Sequence, residues 1–171
     1  MQHTQRFLPA FALLALILAP QASLAQQRIE LEGRVSRVDG TRIELSGGLV
    51  ALEARGAEFE AGNDILRGVS DLTSGTAVEI IASVQPDGSM TATEIEINNE
   101  KNPEDSIKGV VSAVDQAARS FTIGPLMIYF DDATRLKKLS AIQSGSFVEA
   151  TLDVSDGRLR ATLVEREKPN D

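Results

Sequence analysis

The sequence predicts an all-β protein that contains two tandem copies of one small domain. The segment at residues 72–79, Leu-Thr-Ser-Gly-Thr-Ala-Val-Glu, returns in similar form at residues 142–149 as Ile-Gln-Ser-Gly-Ser-Phe-Val-Glu. From the end of each segment, apolar and polar residues alternate. This period of two is typical of a half-buried β-strand, so we expect a β-domain that occurs twice.

The first strand of each repeat carries a glycine and then a shift in its apolar pattern. In the first repeat, alternation continues through Gly33 and Val35, and the next apolar residue is three positions later, at Val38. The second repeat has the same pattern around Gly109 and Val111. A glycine in a strand followed by such a shift indicates a bulge or bend, which a sheet needs in order to curl into a small barrel.

Two further strands follow in each repeat, separated by a turn that contains glycine. Their alternating apolar residues are expected to point inward. These residues are Ile43, Leu45, Val50 and Leu52 in the first repeat, and Phe121, Ile123, Ile128 and Phe130 in the second.

A different spacing follows the third strand. Apolar residues recur at every third position, at Leu66, Val69 and Leu72 in the first repeat and at Leu136, Leu139 and Ile142 in the second. This spacing predicts one short helix per repeat, packed on the core. Each repeat ends with two strands joined by an Asp-Gly turn, at residues 87–88 and 156–157, and Asp-Gly is typical of tight hairpins.

Strand, strand, strand, short helix, strand, strand is the element order of the OB barrel. We therefore expect two tandem OB-like five-stranded β-barrels, at residues 26–97 and 106–167. Residues 98–105 are polar and lack an apolar period, so they are interpreted as a linker, and residues 168–171 as a tail. A flat two-layer arrangement of the same strands is the alternative.

Residues 1–25 have the layout of a secretory signal peptide. Arg6 precedes an apolar run at residues 7–20, and the small residues Ser23 and Ala25 provide a cleavage site after Ala25. We therefore expect a periplasmic or secreted protein. The apolar run is too short for a membrane span, so none is expected in the mature chain. An uncleaved N-terminal anchor is the alternative.

The composition argues against catalysis and against nucleic acid as a partner. The chain has no cysteine, a net charge of −8 and one histidine, which is His3 in the predicted signal peptide. Enzymes mostly use His, Cys, metal ions or paired carboxylates, so we expect no activity, no cofactor and no metal site. The acidic loop from Glu53 to Asp64 could offer oxygen ligands to calcium, but it fits no calcium-binding motif and is interpreted as a solvated loop. Phosphate binding relies on Lys and Arg, so the acidic balance disfavours nucleic acid.

Glycines and core positions recur in both repeats as one string: Gly-x-Val, a β-hairpin, a short strand, Ala-Thr or Ala-Glu, Leu-x-x-Gly-x-x-Val-Glu and Leu-x-Ala. The residues concerned are Gly33, Val35, Ala57, Gly75, Val78, Glu79, Met90 and Ala92 in the first repeat, and Gly109, Val111, Asp131, Ala133, Thr134, Gly145, Val148, Glu149, Leu159 and Ala161 in the second. This pattern resembles the bacterial domain-of-unknown-function family five-six-six-six. The resemblance implies secreted or periplasmic domains, often in tandem, with a small β-barrel fold, and it implies no activity. The first repeat departs from the pattern at Glu58, which replaces the threonine.

A candidate binding face lies on the second and third strands of the second repeat. OB barrels usually bind through the outer face of these strands and the adjoining loops. If Ile128 and Phe130 point inward, the residues on the outer face and in its flanking loops are Arg119, Thr122, Met127, Tyr129 and Arg158. An aromatic and apolar patch flanked by arginine suits a protein, peptide or glycan of the cell envelope.

The first repeat offers a plainer surface at Arg42, Glu44 and Ala51. The alternative to a binding module is a structural β-domain, whose outer faces serve in packing between the repeats or between copies. The oligomeric state and the identity of any partner are left open by the sequence.

Overall fold

The computed structural model describes residues 27–60, 68–98 and 103–169. Over these ranges the protein is all-β, as predicted, and its strands form one mixed sheet. No helix in the described part of the chain is long and apolar enough to cross a membrane. The strands are β1 (Arg28–Asp39), β2 (Arg42–Leu45), β3 (Val50–Glu53), β4 (Glu58–Glu60), β5 (Ala77–Val84), β6 (Met90–Ile97), β7 (Ser106–Asp115), β8 (Ser120–Ile123), β9 (Leu126–Tyr129), β10 (Arg135–Lys137), β11 (Phe147–Asp153) and β12 (Arg160–Arg166).

The two repeats share one pattern of strand pairing. In the first repeat, pairs run from β1 through β2, β3, β6 and β5 back to β1, and the β3–β6 pair is parallel. In the second repeat, pairs run from β7 through β8, β9, β12 and β11 back to β7. The short strands β4 and β10 pair in parallel with β6 and β12, respectively. The duplicated sequence therefore gives a duplicated topology.

The predicted irregularity of the first strand is confirmed in both repeats. The pairing of β1 with β2 shifts register between Val35 and Arg37, and the pairing of β7 with β8 shifts between Val111 and Ala113. Up to Arg34 and Val110 each strand pairs with the fourth long strand of its repeat, and from Val35 and Val111 onward it pairs with the second. The bend thus lets the first strand of each repeat pair with two different strands, one along each half of its length.

The first strands also join the repeats. β1 and β7 pair antiparallel, with Leu31 opposite Ile107, and these two residues hold the same position in their repeats. The joint therefore has local two-fold pseudosymmetry. Ile29, which is 1% exposed, packs close to Gly109 of the other repeat. One buried apolar cluster extends through both repeats.

The segment predicted as a short helix in each repeat has a different structure. In the first repeat, this segment contains a 3-10 turn at Val69–Asp71, and Leu66 lies outside the described residues. In the second repeat the helix prediction is wrong, because Leu136 lies in β10, and residues 138–146 are bends and turns. The Thr134 hydroxyl donates to the Ala161 carbonyl at 2.8 Å, which holds this segment beside β12 in an extended conformation. Only one of the three spaced residues, Ile142, is deeply buried, at 6% exposure.

The third strands align differently from the sequence prediction. Leu45 pairs with Val50, whereas Ile123 pairs with Leu126, so Val50 corresponds to Leu126 and not to Ile128. The reason is the turn between the second and third strands, which has four residues in the first repeat and two in the second. Consequently Glu53 of the first repeat occupies the position of Tyr129 in the second.

Candidate functional site

The candidate face lies on the outside of β8 and β9. Thr122 stands opposite Met127, and the neighbouring pair of Phe121 and Ile128 points inward, with 1% and 0% exposure. Because side chains alternate along a strand, Met127 faces outward, and it is 51% exposed. The Thr122 hydroxyl lies 2.6 Å from the hydroxyl of Ser112 on the adjacent β7. Thr122 and Met127 therefore lie on the same face, where the sequence analysis placed them.

Tyr129 and Arg158 form the second part of the face. The Arg158 guanidinium carbon lies 5.1 Å from the centre of the Tyr129 ring, within the range of a cation–π contact. The backbone N–H of Tyr129 donates to the Leu159 carbonyl at 2.8 Å, which fixes the end of β9 against the β11–β12 turn. The turn itself is stabilised by the Arg158 N–H, which donates to Asp156 Oδ1 at 3.1 Å. Four of the five predicted residues thus lie on one surface.

Arg119, the fifth predicted residue, lies at the border of this surface. Its Nη1 lies 3.1 Å from Oδ1 of Asp132 in the loop after β9. Its carbonyl accepts the backbone N–H of Phe130 at 2.9 Å. Arg119 therefore links the β7–β8 turn to the loop after β9, and the cation stacked on Tyr129 is Arg158.

An ion-pair network that the sequence analysis did not predict lies beside the face, between the start of β12 and the loops on either side of it. Arg160 stands opposite Tyr129, binds Asp131 at 2.9 Å and also binds Asp156. The pKa of Asp131 is lowered by the Ala133 backbone N–H and then by Arg160, and the pKa of Asp156 is lowered chiefly by Arg160. Both carboxylates are therefore charged, and they hold the turn that carries Arg158. Asp156 and Arg160 are four positions apart, but this spacing predicts an ion pair only on a helix, so it could not have predicted this network.

The first repeat has a cleft at the corresponding place. It has a volume of about 280 Å³, and its lining residues are Arg42, Ala51, Leu52, Glu53, Gly88, Ser89 and Met90. Ala51 holds the position of Met127, and Ser89, which precedes Met90, holds that of Arg158, which precedes Leu159. The small side chains of Ala51 and Ser89 therefore leave a cleft in the first repeat. The larger side chains of Met127 and Arg158 occupy the corresponding positions in the second repeat. The sequence prediction of a plain surface missed this cleft because it aligned the third strands two residues out of register.

The acidic loop offers no metal site within the described residues. In residues 27–60, 68–98 and 103–169, no group of His, Cys, Asp or Glu has the geometry to hold a metal ion. Glu53 Oε1 instead accepts the backbone N–H of Arg55 at 3.0 Å, so it caps a turn. Asn63 and Asp64, the other end of the loop, lie outside the described residues.

Fold and face together define an all-β tandem-repeat protein with an outward apolar and cationic patch on one repeat. The chain matches the family model described as Domain of unknown function (DUF5666) twice, over residues 32–96 and 108–165. It belongs to that family, as the resemblance of the two repeats indicated, and each match covers one repeat. No curated protein matches the chain. Among solved structures, it is similar to "drosophila Unr CSD456", at 16% identity, over 84% of this chain and 63% of that chain, with a TM-score of 0.28.

Proposed function

We propose that this protein is a non-enzymatic binding module of the periplasm or the secreted fraction. It recognises a protein, peptide or glycan of the cell envelope through Met127, Thr122, Tyr129 and Arg158, which we call the outer face. The observation that carries the proposal is the 51% exposure of Met127 beside the Tyr129–Arg158 contact. Tyr, Arg and Met are enriched at protein interfaces, and an exposed methionine favours this role over packing against the first repeat.

The pattern of strand pairing supports an OB-like barrel in each repeat. The pairs return to the first strand in both repeats, through a parallel contact of the third and fifth long strands. In such barrels the binding surface is the outside of the second and third strands with the loop between the fourth and fifth. Here these are β8, β9 and the β11–β12 turn, which are the elements that carry the outer face.

The charge of the chain favours a protein, peptide or glycan over nucleic acid. The outer side of β1, β5 and β6 carries a row of Glu32, Glu79 and Glu96, which stand opposite one another in register. The whole chain has a net charge of −8. Such a surface repels a phosphate backbone. The assignment to the periplasm or the secreted fraction rests on the signal peptide predicted at residues 1–25, which lie outside the described residues.

Site-specific cross-linking tests the outer face. A photoreactive amino acid placed at Met127 should give adducts in cells that export the protein. Val110 on β7 is a matched control position, since it is also an exposed apolar residue, at 37%. Adducts from position 127 should disappear when Tyr129→Ala is combined with the probe, because the ring is the neighbouring part of the face. The same adducts from positions 127 and 110 would refute the assignment of binding to this face.

A further inference from the structure

We infer that the outer face of the second repeat docks into the cleft of the first repeat of another copy, so that a second copy of this chain is a partner. This inference rests on the proposed function, because it assigns an occupant to the same face. The cleft is the one lined by Ala51, Glu53 and Ser89 at the end of β3 and the β5–β6 turn.

The two surfaces occupy the same place in their repeats and have opposite shapes. In the second repeat Met127 projects and Arg158 is exposed above the Tyr129 ring, whereas Ala51 and Ser89 border a cavity of about 280 Å³ in the first. Sites for small molecules are usually larger, roughly 300–1,000 Å³. The cleft is therefore suited to one or two side chains of a protein.

The chemistry of the two surfaces is also complementary. Leu52 and Met90, which are 2% and 5% exposed, give the cleft an apolar floor that matches the flexible side chain of Met127. Glu53 provides a carboxylate opposite to the charge of Arg158, and its pKa is lowered chiefly by the Thr41 side chain. The cation on the cleft wall, Arg42, lies 3.5 Å from Glu44 and is compensated there. Opposite charges at the rim of such a contact select the partner and its orientation.

If two copies make this contact reciprocally, they form a two-fold dimer. If they do not, the contact is heterologous and either closes into a larger ring or continues into a chain of copies. The cleft is small, and contacts that bury less than about 1,200 Å² are weak and transient. The association should therefore depend on protein concentration. This dependence makes sedimentation velocity over a wide concentration range the suitable measurement.

Charge exchange across the contact gives a direct test. The purified wild-type chain should show an average mass above that of the monomer, rising with concentration. Arg158→Glu and Glu53→Arg should each weaken this association by about tenfold or more, the scale of an interface hot spot. A mixture of the two variants should restore association, because the Glu53→Arg cleft accepts the Arg158→Glu face and the unaltered Glu53 cleft accepts the unaltered Arg158 face. Arg135→Glu, at an exposed position of β10, changes the net charge by the same amount as Arg158→Glu and should have no effect.

A second variant tests the cleft without changing the outer face. Glu53→Tyr combined with Ser89→Arg gives the first repeat the Tyr-Arg pair of the second, so it should fill the cleft and abolish association. Circular dichroism identifies any variant that fails to fold. A wild-type chain that is monomeric at all concentrations, or association that survives both the charge changes and the filled cleft, would overturn the inference. If the chain is monomeric but Tyr129→Ala still removes the cross-links from position 127, the proposed function stands and self-recognition is wrong.

Discussion

Replacement of Gly109 by valine is expected to destabilise the joint between the repeats. A Cβ at this position would lie 2.7 Å from Cγ2 of Ile123 and 3.2 Å from Cγ2 of Ile29. Both neighbours are buried, at 0% and 1% exposure, so neither can move aside without displacing other core residues. Because Ile29 belongs to the first repeat, the clash involves both halves of the molecule.

The magnitude follows from the packing. Extra carbon atoms in a well-packed core typically cost about 1–3 kcal/mol. Valine adds two methyl groups beyond the Cβ that already clashes, so we expect a loss of about 3 kcal/mol in the free energy of unfolding. For a chain of this size, about 1 kcal/mol corresponds to roughly 2–4 °C, so Tm should fall by about 6–12 °C.

Gly157→Ser is the matched control, because this glycine lies in the β11–β12 turn with no atom within 4 Å of an added Cβ. Its φ of +74° means that serine would lose only about 1–2 kcal/mol to the left-handed backbone. Thermal and urea unfolding followed by circular dichroism measure both losses. Equal losses for Gly109→Val and Gly157→Ser would refute the argument.

A double-mutant cycle tests the contact itself. Ile123→Leu moves the branch away from Cβ at nearly constant volume, so it should relieve part of the cost of Gly109→Ala. The coupling expected for residues in contact is about 0.5–3 kcal/mol. Additive effects would show that the Cγ2 atom of Ile123 is not the cause.

Three further predictions can be tested on the same chain. Tyr129→Ala should lower the free energy of unfolding by about 1 kcal/mol, and Phe121→Ala by about 3–5 kcal/mol; equal losses would show that Tyr129 is a core residue. Burial, followed by neighbouring glutamates, raises the pKa of Glu79. Its stabilising contribution is therefore complete at low pH and lost as pH rises through the folded-state pKa. Accordingly, Glu79→Gln should stabilise by about 0.5 kcal/mol at pH 7 and by nothing near pH 3, and a loss at pH 7 would contradict this. Intact-mass measurement of the exported protein should give a chain that starts at Gln26, and a mass that includes residues 1–25 would contradict the predicted cleavage.

Features that depend on the pleat of a single strand could be predicted from the sequence. The apolar alternation around Gly33 and Gly109 gave the bulge in both first strands, because a bulge must shift the period of two. The same alternation placed Met127 and Tyr129 outward, since the buried Ile128 lies between them. These inferences need no knowledge of which strands are neighbours.

Features that depend on packing between segments could not be predicted. The spacing of Leu136, Leu139 and Ile142 suggested a helix, but the segment begins instead with β10, which pairs in parallel with β12 beside the hydrogen bond from Thr134 to Ala161. Phe130 was expected to point inward from the third strand. It follows β9 and does not lie within the strand, and it packs half-buried against the core, with its ring centre 6.2 Å from that of Phe121. Residue spacing does not encode turn length or the strand against which a side chain packs.

At the joint, the glycine of each first strand contacts a different kind of side chain from the other repeat. Ile29 lies against Gly109, and the residue in its position in the second repeat is Asp105, which lies against Gly33. Asp105 accepts the hydroxyl of Ser46 at 3.0 Å, and burial raises its pKa. One side of the joint is therefore apolar and the other polar.

This asymmetry makes the joint selective for unlike repeats. A joint between two second repeats would place a carboxylate against Gly109 and the buried Ile123, which disfavours a charge, and a joint between two first repeats would leave Ser46 without its acceptor. The side chains at the joint therefore favour the pairing of one first repeat with one second repeat. On the outside, the same duplication gives a projecting face at Tyr129 and a cleft at Glu53. Because the shared positions build the fold, the positions at which the two repeats differ are the ones where the function should be sought.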